Sequence, residues 1–208
     1  MPQRQPKSEI TKAKILEAAE AEFSEKGFFG ARIDEIASAS GINKRMIYEH
    51  FESKEGLYKA VLLSVYQKLA ECESQFFIDN LEPTLAIKNI VYVSFRFLEE
   101  TPSFVRMLMW ENLNNAKSLS AEAVRTLKEP TINYIKEQIR RGKEQGVFKE
   151  DIDEYQMVVS LMNFGFSYFS NIHTLSAIFG KKLSEPTEIM KRAEFVSNMI
   201  LEHLVKNN

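Results

Sequence analysis

The chain offers little from which to build covalent or metal-held stability. One of its 208 residues is cysteine, Cys72. A single thiol closes no intrachain disulfide and supplies too few soft ligands for a structural zinc site. Its opening residues, MPQRQPKSE, lack the apolar stretch of a secretory signal, and the expected compartment is a reducing cytoplasm. Long apolar runs are also missing: the greasiest stretch, Val158 to Phe169, is interrupted by Ser160, Asn163, Gly165 and Ser167. That is short of the roughly 18 residues a membrane span needs, so no membrane partner is expected. With 8 glycines and 6 prolines there is no glycine-rich loop to cradle phosphate, and helices are favoured over turns and sheets. The three histidines, His50, His173 and His203, are scattered, and neither an HExxH nor a Walker pattern occurs. No catalytic residue, metal site or cofactor is therefore expected. A formal charge of -2 excludes a generic polyanion binder, because bulk electrostatics supply most non-specific nucleic-acid affinity, but a local basic patch stays open.

What is present is a globular composition, 44% hydrophobic and 27% charged. A chain of this length buries roughly 70% of its unfolded surface. Residues 1–8 read as a flexible polar arm. From Glu9, Ile10, Ala13, Ile15, Leu16, Ala19 and Phe23 recur at helical spacing, and Gly27 stands where a left-handed C-cap belongs. Helices are expected at about 9–26, 34–40, 43–50 and 54–75, the third capped by Asn43 and the fourth by Ser53. Further helices are expected at about 84–99, 102–114, 120–145, 153–178 and 186–205. Prolines mark several of their starts, and Pro130 can split or kink the seventh. The fold class is all-α with about nine helices.

The most informative stretch is Ile33 to Phe51, IDEIASASGINKRMIYEHF. Two short helices meet at Gly41, where a tight turn demands positive φ, and Ala37 is small where the helices must approach. Ile36, Ile42, Ile47 and Phe51 supply a shared apolar face. At 100° per residue, Arg45, Met46 and Glu49 then fall on the opposite side, flanked by Tyr48 and His50. Lys44, Arg45 and the positively polarised helix start suit phosphates or guanine edges. Tyr48 suits a phosphate, Met46 a thymine methyl and Glu49 a cytosine amino group. His50 can equally cap or solvate the helix end, and Glu49 can equally serve an intramolecular partner.

These residues resemble the TetR family of bacterial transcriptional regulators, through Ile33, Ile36, Ala37, Gly41, Ile42, Lys44, Tyr48, Phe51, Ser53, Lys54 and Leu57. The likeness extends back through Ile15, Ala18, Ala19, Phe23, Gly27 and Phe28, and covers about residues 10–60. It implies a helix-turn-helix DNA-binding domain over 9–53 and a helical effector-binding and dimerisation domain over 54–208. DNA contacts are expected from Arg32, Asn43, Lys44, Arg45, Met46, Tyr48, Glu49, His50 and Lys54. Three positions depart from the family pattern. Arg32 replaces a small hydroxyl residue that caps the second helix, while Arg45 and Met46 stand where glycine and threonine are common, so the base readout is individual.

Beyond residue 60 the chain is expected to explain assembly and control. Apolar faces on the last two long helices, with Leu161, Phe169, Ile172, Ala193, Val196, Ile200 and Leu204, suit a four-helix bundle across a two-fold axis. Such a homodimer spaces two recognition helices on a palindromic double-stranded operator. A pocket for a small-molecule effector is expected from Phe95, Phe104, Met107, Trp110, Asn163 and Phe166, which suit core packing equally well. The acidic group Glu150, Asp151, Asp153 and Glu154 precedes a helix, where carboxylates complement the dipole. The resulting function is a ligand-responsive regulator, expected to repress. The alternative is a helical binding or interaction protein that does not read DNA.

Overall fold

A computed structural model describes residues 7–75, 77–78 and 80–206. Ten helices follow one another among them: α1 (Lys7–Gly30), α2 (Ile33–Ser40), α3 (Lys44–Phe51), α4 (Lys54–Ser74), α5 (Pro83–Glu100), α6 (Pro102–Leu113), α7 (Ala121–Glu144), α8 (Glu154–Ser170), α9 (Ile172–Phe179) and α10 (Pro186–Leu204). Most of the expected arm, residues 1–6, lies outside the described residues. Helix α1 already takes in Lys7 and Ser8.

The extra helix comes from a break at Asn171, inside the single helix expected over 153–178. The Asn171 side-chain amide donates to the Ser167 carbonyl, the acceptor an unbroken helix would offer to the Asn171 N–H. Asn171 takes φ −111 and ψ 8, and the chain turns there before α9 starts. Pro130, by contrast, does not split α7, which runs on from Ala121 to Glu144.

The chain divides into two compact units. The first runs up to Lys68 and includes Ser103–Val124; the second comprises Leu69–Pro102 and the chain from Arg125 onward. The border in compactness thus falls inside α4 at Lys68.

In the first unit, the period of α1 buries Ile15, Ala19 and Phe23, which meet Ile33, Ile36, Ile47, Phe51, Leu57, Tyr58 and Val61 in one core. Each of the larger aliphatic side chains and Phe contributes about 1.5–3 kcal/mol by leaving water. Phe23 and Tyr58 pack edge to face at 5.0 Å. Gly27 has the expected positive φ of 66 but a ψ of 178, so it kinks α1 and does not form a left-handed cap, and the helix resumes for one turn beyond it. The indole of Trp110 lies over Gly27 so closely that an added Cβ would come within 2.8 Å of the ring. Buried Glu20 accepts from Lys68 Nζ at 2.6 Å and from Ser103 Oγ at 2.6 Å, tying α1 to α4 and to the start of α6.

In the second unit, α5, α7, α8 and α10 enclose Ile87, Ile90, Phe95, Ile139, Leu161, Val196 and Leu204. The end of α10 is pinned by Lys149 N–H to the Leu204 carbonyl and Lys206 N–H to the Val147 carbonyl. Asp153 caps α8 by accepting from the Gln156 N–H at 3.1 Å, the role its acidic neighbourhood suggested.

Candidate nucleic-acid interface

The geometry of α3 begins at its cap. Asn43 is extended, at φ −67 and ψ 150, and its side-chain oxygen accepts the Met46 N–H at 2.9 Å. That bond satisfies one of the orphan donors of the first turn, and the others give the helix start a positive potential. Ile47 and Phe51 anchor the inner face. The turn before α3 is closed by Gly41 at φ 69, as the spacing predicts.

Buried anchors on one side fix what the other side presents. Lys44, Arg45, Tyr48 and Glu49 are exposed, whereas Met46 and His50 are half-buried, the His50 ring leaning on Phe51 at 6.1 Å. The exposed cations are not loose. Lys44 Nζ lies 3.0 Å from an Asp34 oxygen, and this hydrogen-bonded partner raises the ammonium above its ordinary range. Arg45 Nε meets Glu49 Oε1 at 2.9 Å, one turn along α3.

Lys54 has a different situation from the other expected contacts. Its Nζ donates to the Ala31 carbonyl at 2.6 Å and lies 5.0 Å above the Phe28 ring. Burial draws it below the usual lysine range. It closes the end of α1 onto the start of α4 inside the unit. Arg32 is exposed and extended, with no side-chain cap on α2. Its backbone N–H instead donates to Glu22 at 3.0 Å. Burial acts to raise the Glu22 carboxyl, but the bonds from Lys26 and from Arg32 outweigh it and hold the group below its ordinary range. The Glu22 carboxylate thus satisfies the N–H of the cap residue itself, while the first turn of α2 has no side-chain cap.

Comparison with known proteins agrees with this arrangement along the chain. The family model for bacterial regulatory proteins of the TetR family matches residues 15–61, and one for the tetracyclin repressor-like C-terminal domain matches residues 83–200. The chain belongs to the TetR family. It is a DNA-binding transcriptional regulator of helix-turn-helix type. The HTH-type transcriptional repressor NicS of Pseudomonas putida is 31% identical to this TetR-family chain over 205 residues, which are 97% of the chain and 95% of that protein. The HTH-type transcriptional regulator RutR of Escherichia coli is 34% identical over 118 residues, 56% of the chain and 55% of that protein. A TetR transcriptional regulator from Chloroflexus aurantiacus shares the fold with a TM-score of 0.74 at 20% identity, over 97% of this chain and 99% of that one.

The residues expected to line an effector pocket in this TetR-family chain are divided between the units. Phe104 and Met107 are buried in the first, Phe104 against the Tyr66 ring at 5.6 Å. Trp110 covers Gly27 there and donates to the Ser24 carbonyl. Phe95 belongs to the core of the second unit and packs on Phe169 at 5.9 Å. Phe166 is half-buried and Asn163 exposed. Of the six, only Asn163 borders the large open groove, about 980 Å³, formed by α8, α9 and α10.

The side chains expected at a dimer contact are used within the chain instead. Leu161, Ile172, Ala193, Val196, Ile200 and Leu204 are all buried in the second unit's core, and Phe169 packs against it. Their faces turn inward because α5 supplies the apolar surface they need. The opposite faces expose Met162, Ile178, Phe179, Met190 and Phe195. Sequence reasoning missed these because a helix apolar on nearly all sides does not say which side meets its own core.

Proposed function

We propose that the chain binds a palindromic operator as a homodimer, represses transcription there and is modulated by a small molecule. The carrying observation is α3, capped by Asn43 and anchored by Ile47 and Phe51, with Lys44, Arg45 and Tyr48 outward. Lys44 and Tyr48 meet phosphates, Arg45 and Met46 reach base edges, and Asn43 and His50 flank the contact. Arg32 adds a phosphate contact, and Lys54 acts by holding α4 against α1 more than by touching DNA. Segment 9–53 reads DNA, and segment 54–208 assembles the dimer and takes the effector. Repression is supported by NicS and by a second relative, the HTH-type transcriptional repressor SCO4008 of Streptomyces coelicolor, 31% identical over 153 residues. No helix among the described residues is long and apolar enough to cross a membrane, and we place the protein in the cytoplasm as a regulator and not an enzyme.

For the dimer the supporting observation is the groove of α8, α9 and α10, where Ile178 is 73% and Phe195 58% exposed. A second copy inserting the same stripes would bury them isologously. The effector acts by linkage: a small molecule that favours a misspaced pair of recognition helices lowers operator affinity by the same factor.

Titrating a selected operator and a scrambled duplex across salt concentrations tests the DNA face. Lys44→Ala is expected to weaken both duplexes alike and to reduce the salt slope by about one for each phosphate left unneutralised. Tyr48→Ala should weaken both with the slope unchanged, because it removes no charge. Unchanged affinity in both variants contradicts the assignment of this face.

A further inference from the structure

The recognition segment is balanced in charge, although it must approach phosphates. Between Arg32 and Lys54 there are four cations, Arg32, Lys44, Arg45 and Lys54, and four carboxylates, Asp34, Glu35, Glu49 and Glu52. Two of the carboxylates hold cations that point toward solvent: Asp34 holds Lys44, and Glu49 holds Arg45. An attraction for any DNA backbone would be stronger without them.

The Arg45–Glu49 pair has a geometry that goes further than charge cancellation. Glu49 Oε1 takes the Nε–H at 2.9 Å. Of the five N–H donors of a guanidinium in its fixed fork, this bond uses one and leaves those of the terminal Nη1 and Nη2 groups for a partner. That end is the one that meets guanine O6 and N7 together. The Arg45 side chain is 89% exposed and Glu49 56%, so packing holds neither, and the carboxylate one turn along is the partner that narrows the arginine's rotamers. Ordering the guanidinium before binding reduces the side-chain entropy that binding costs. The carboxylate also distinguishes targets. A phosphate oxygen that approached Arg45 along its Nε edge would meet Glu49's negative charge, whereas a guanine edge carries no net charge.

We infer that Glu49 is a positioning residue that makes Arg45 a guanine reader and at the same time lowers affinity for non-cognate DNA. The inference rests on α3 being the DNA-reading helix. It does not need Glu49 to touch a base.

Three parallel selections from one random duplex pool, with the wild-type chain, Arg45→Lys and Glu49→Gln, decide it. All three proteins should show the same helix content by circular dichroism, because both side chains are on the surface. The wild type is expected to enrich a half-site with one column dominated by guanine, and Arg45→Lys, which keeps the charge but lacks the fork, loses that column. Glu49→Gln should flatten the same column, by about tenfold in discrimination, and leave the other columns alone. Its affinity for a scrambled duplex should rise severalfold, with a salt slope steeper by about one phosphate. A Glu49→Gln column as sharp as wild type overturns the inference, and so does the loss of a different column, which would make Glu49 a base reader in its own right. A wild-type chain that enriches nothing overturns the DNA-reading assignment itself, a result distinct from the other two.

Discussion

Replacing Lys128 by methionine is expected to lower the unfolding free energy by about 3–5 kcal/mol. Lys128 on α7 is the cationic partner of Glu73 in the last turn of α4, and the two side chains are only 6% and 11% exposed. Its Nζ donates to both Glu73 oxygens, and Thr131 Oγ1 adds a bond to Oε2 at 2.7 Å. Taking the ammonium away leaves a carboxylate in a nearly dry site with one hydroxyl donor, which is the costly case for a buried charge. At about 2–4 °C per kcal/mol for a chain of this size, Tm should fall by roughly 6–20 °C. The double variant Glu73→Leu with Lys128→Met removes both charges together and should recover most of the loss, since a buried pair is often neutral against an apolar one. Urea and thermal unfolding followed by circular dichroism read both. A single variant within about 1 kcal/mol of wild type would show that water reaches the pair.

The second large effect is expected from Gly56→Ala, at least 2–3 kcal/mol of destabilisation together with loss of operator binding. Helices α3 and α4 are joined by a very short turn in which Glu52 takes φ 64 and Ser53 N–H bonds the Phe51 carbonyl at 2.6 Å. Ser53 Oγ caps α4 by accepting the Gly56 N–H at 3.0 Å. A methyl group on Gly56 would come 2.2 Å from the Phe51 carbonyl oxygen, an atom of the main chain and not a movable side-chain tip. Relief requires α3 to shift against α4, and that moves the recognition helix itself. Trp110, the one tryptophan of the chain, lies in the same unit, so its fluorescence reports unfolding there. A Trp110 transition and operator affinity both unchanged would mean that the turn yields without cost.

These two sites also mark the limit of what sequence spacing reveals. The first four helices, the Asn43 and Ser53 caps and the positive-φ glycines at 27 and 41 are local features. Each is decided by residues within one or two turns, and the sequence pattern locates them to within a few positions. Glu73 and Lys128 are 55 residues apart, and nothing in their local patterns joins them. Gly27 beneath Trp110 is a similar case: the positive φ was readable, the indole above it was not. The outward face of α3 follows from its anchors Ile47 and Phe51, yet the bond that diverts Lys54 to the Ala31 carbonyl depends on how α1 ends. On α8, α9 and α10, apolar residues on several sides leave the period uninformative about which stripe packs inward, so the residues chosen for the dimer are core, and Phe195 and Ile178 stay exposed. The split at Asn171 escaped because a side-chain amide competing for a helical carbonyl leaves no periodic trace.

Two copies of α3 on one palindromic duplex are what the proposed function stands on. Analytical ultracentrifugation of the full chain, alone and with a duplex selected from a random pool, measures this most directly. The expected result is a particle of two 24.0 kDa chains that binds a two-fold repeated site with half-site centres about 34 Å apart, one helical turn. Phe195→Glu should sediment as a single chain and lose most of its affinity for the same duplex. A wild-type monomer that binds an unrepeated site with full affinity, or no selected site at all even at low salt, would contradict it.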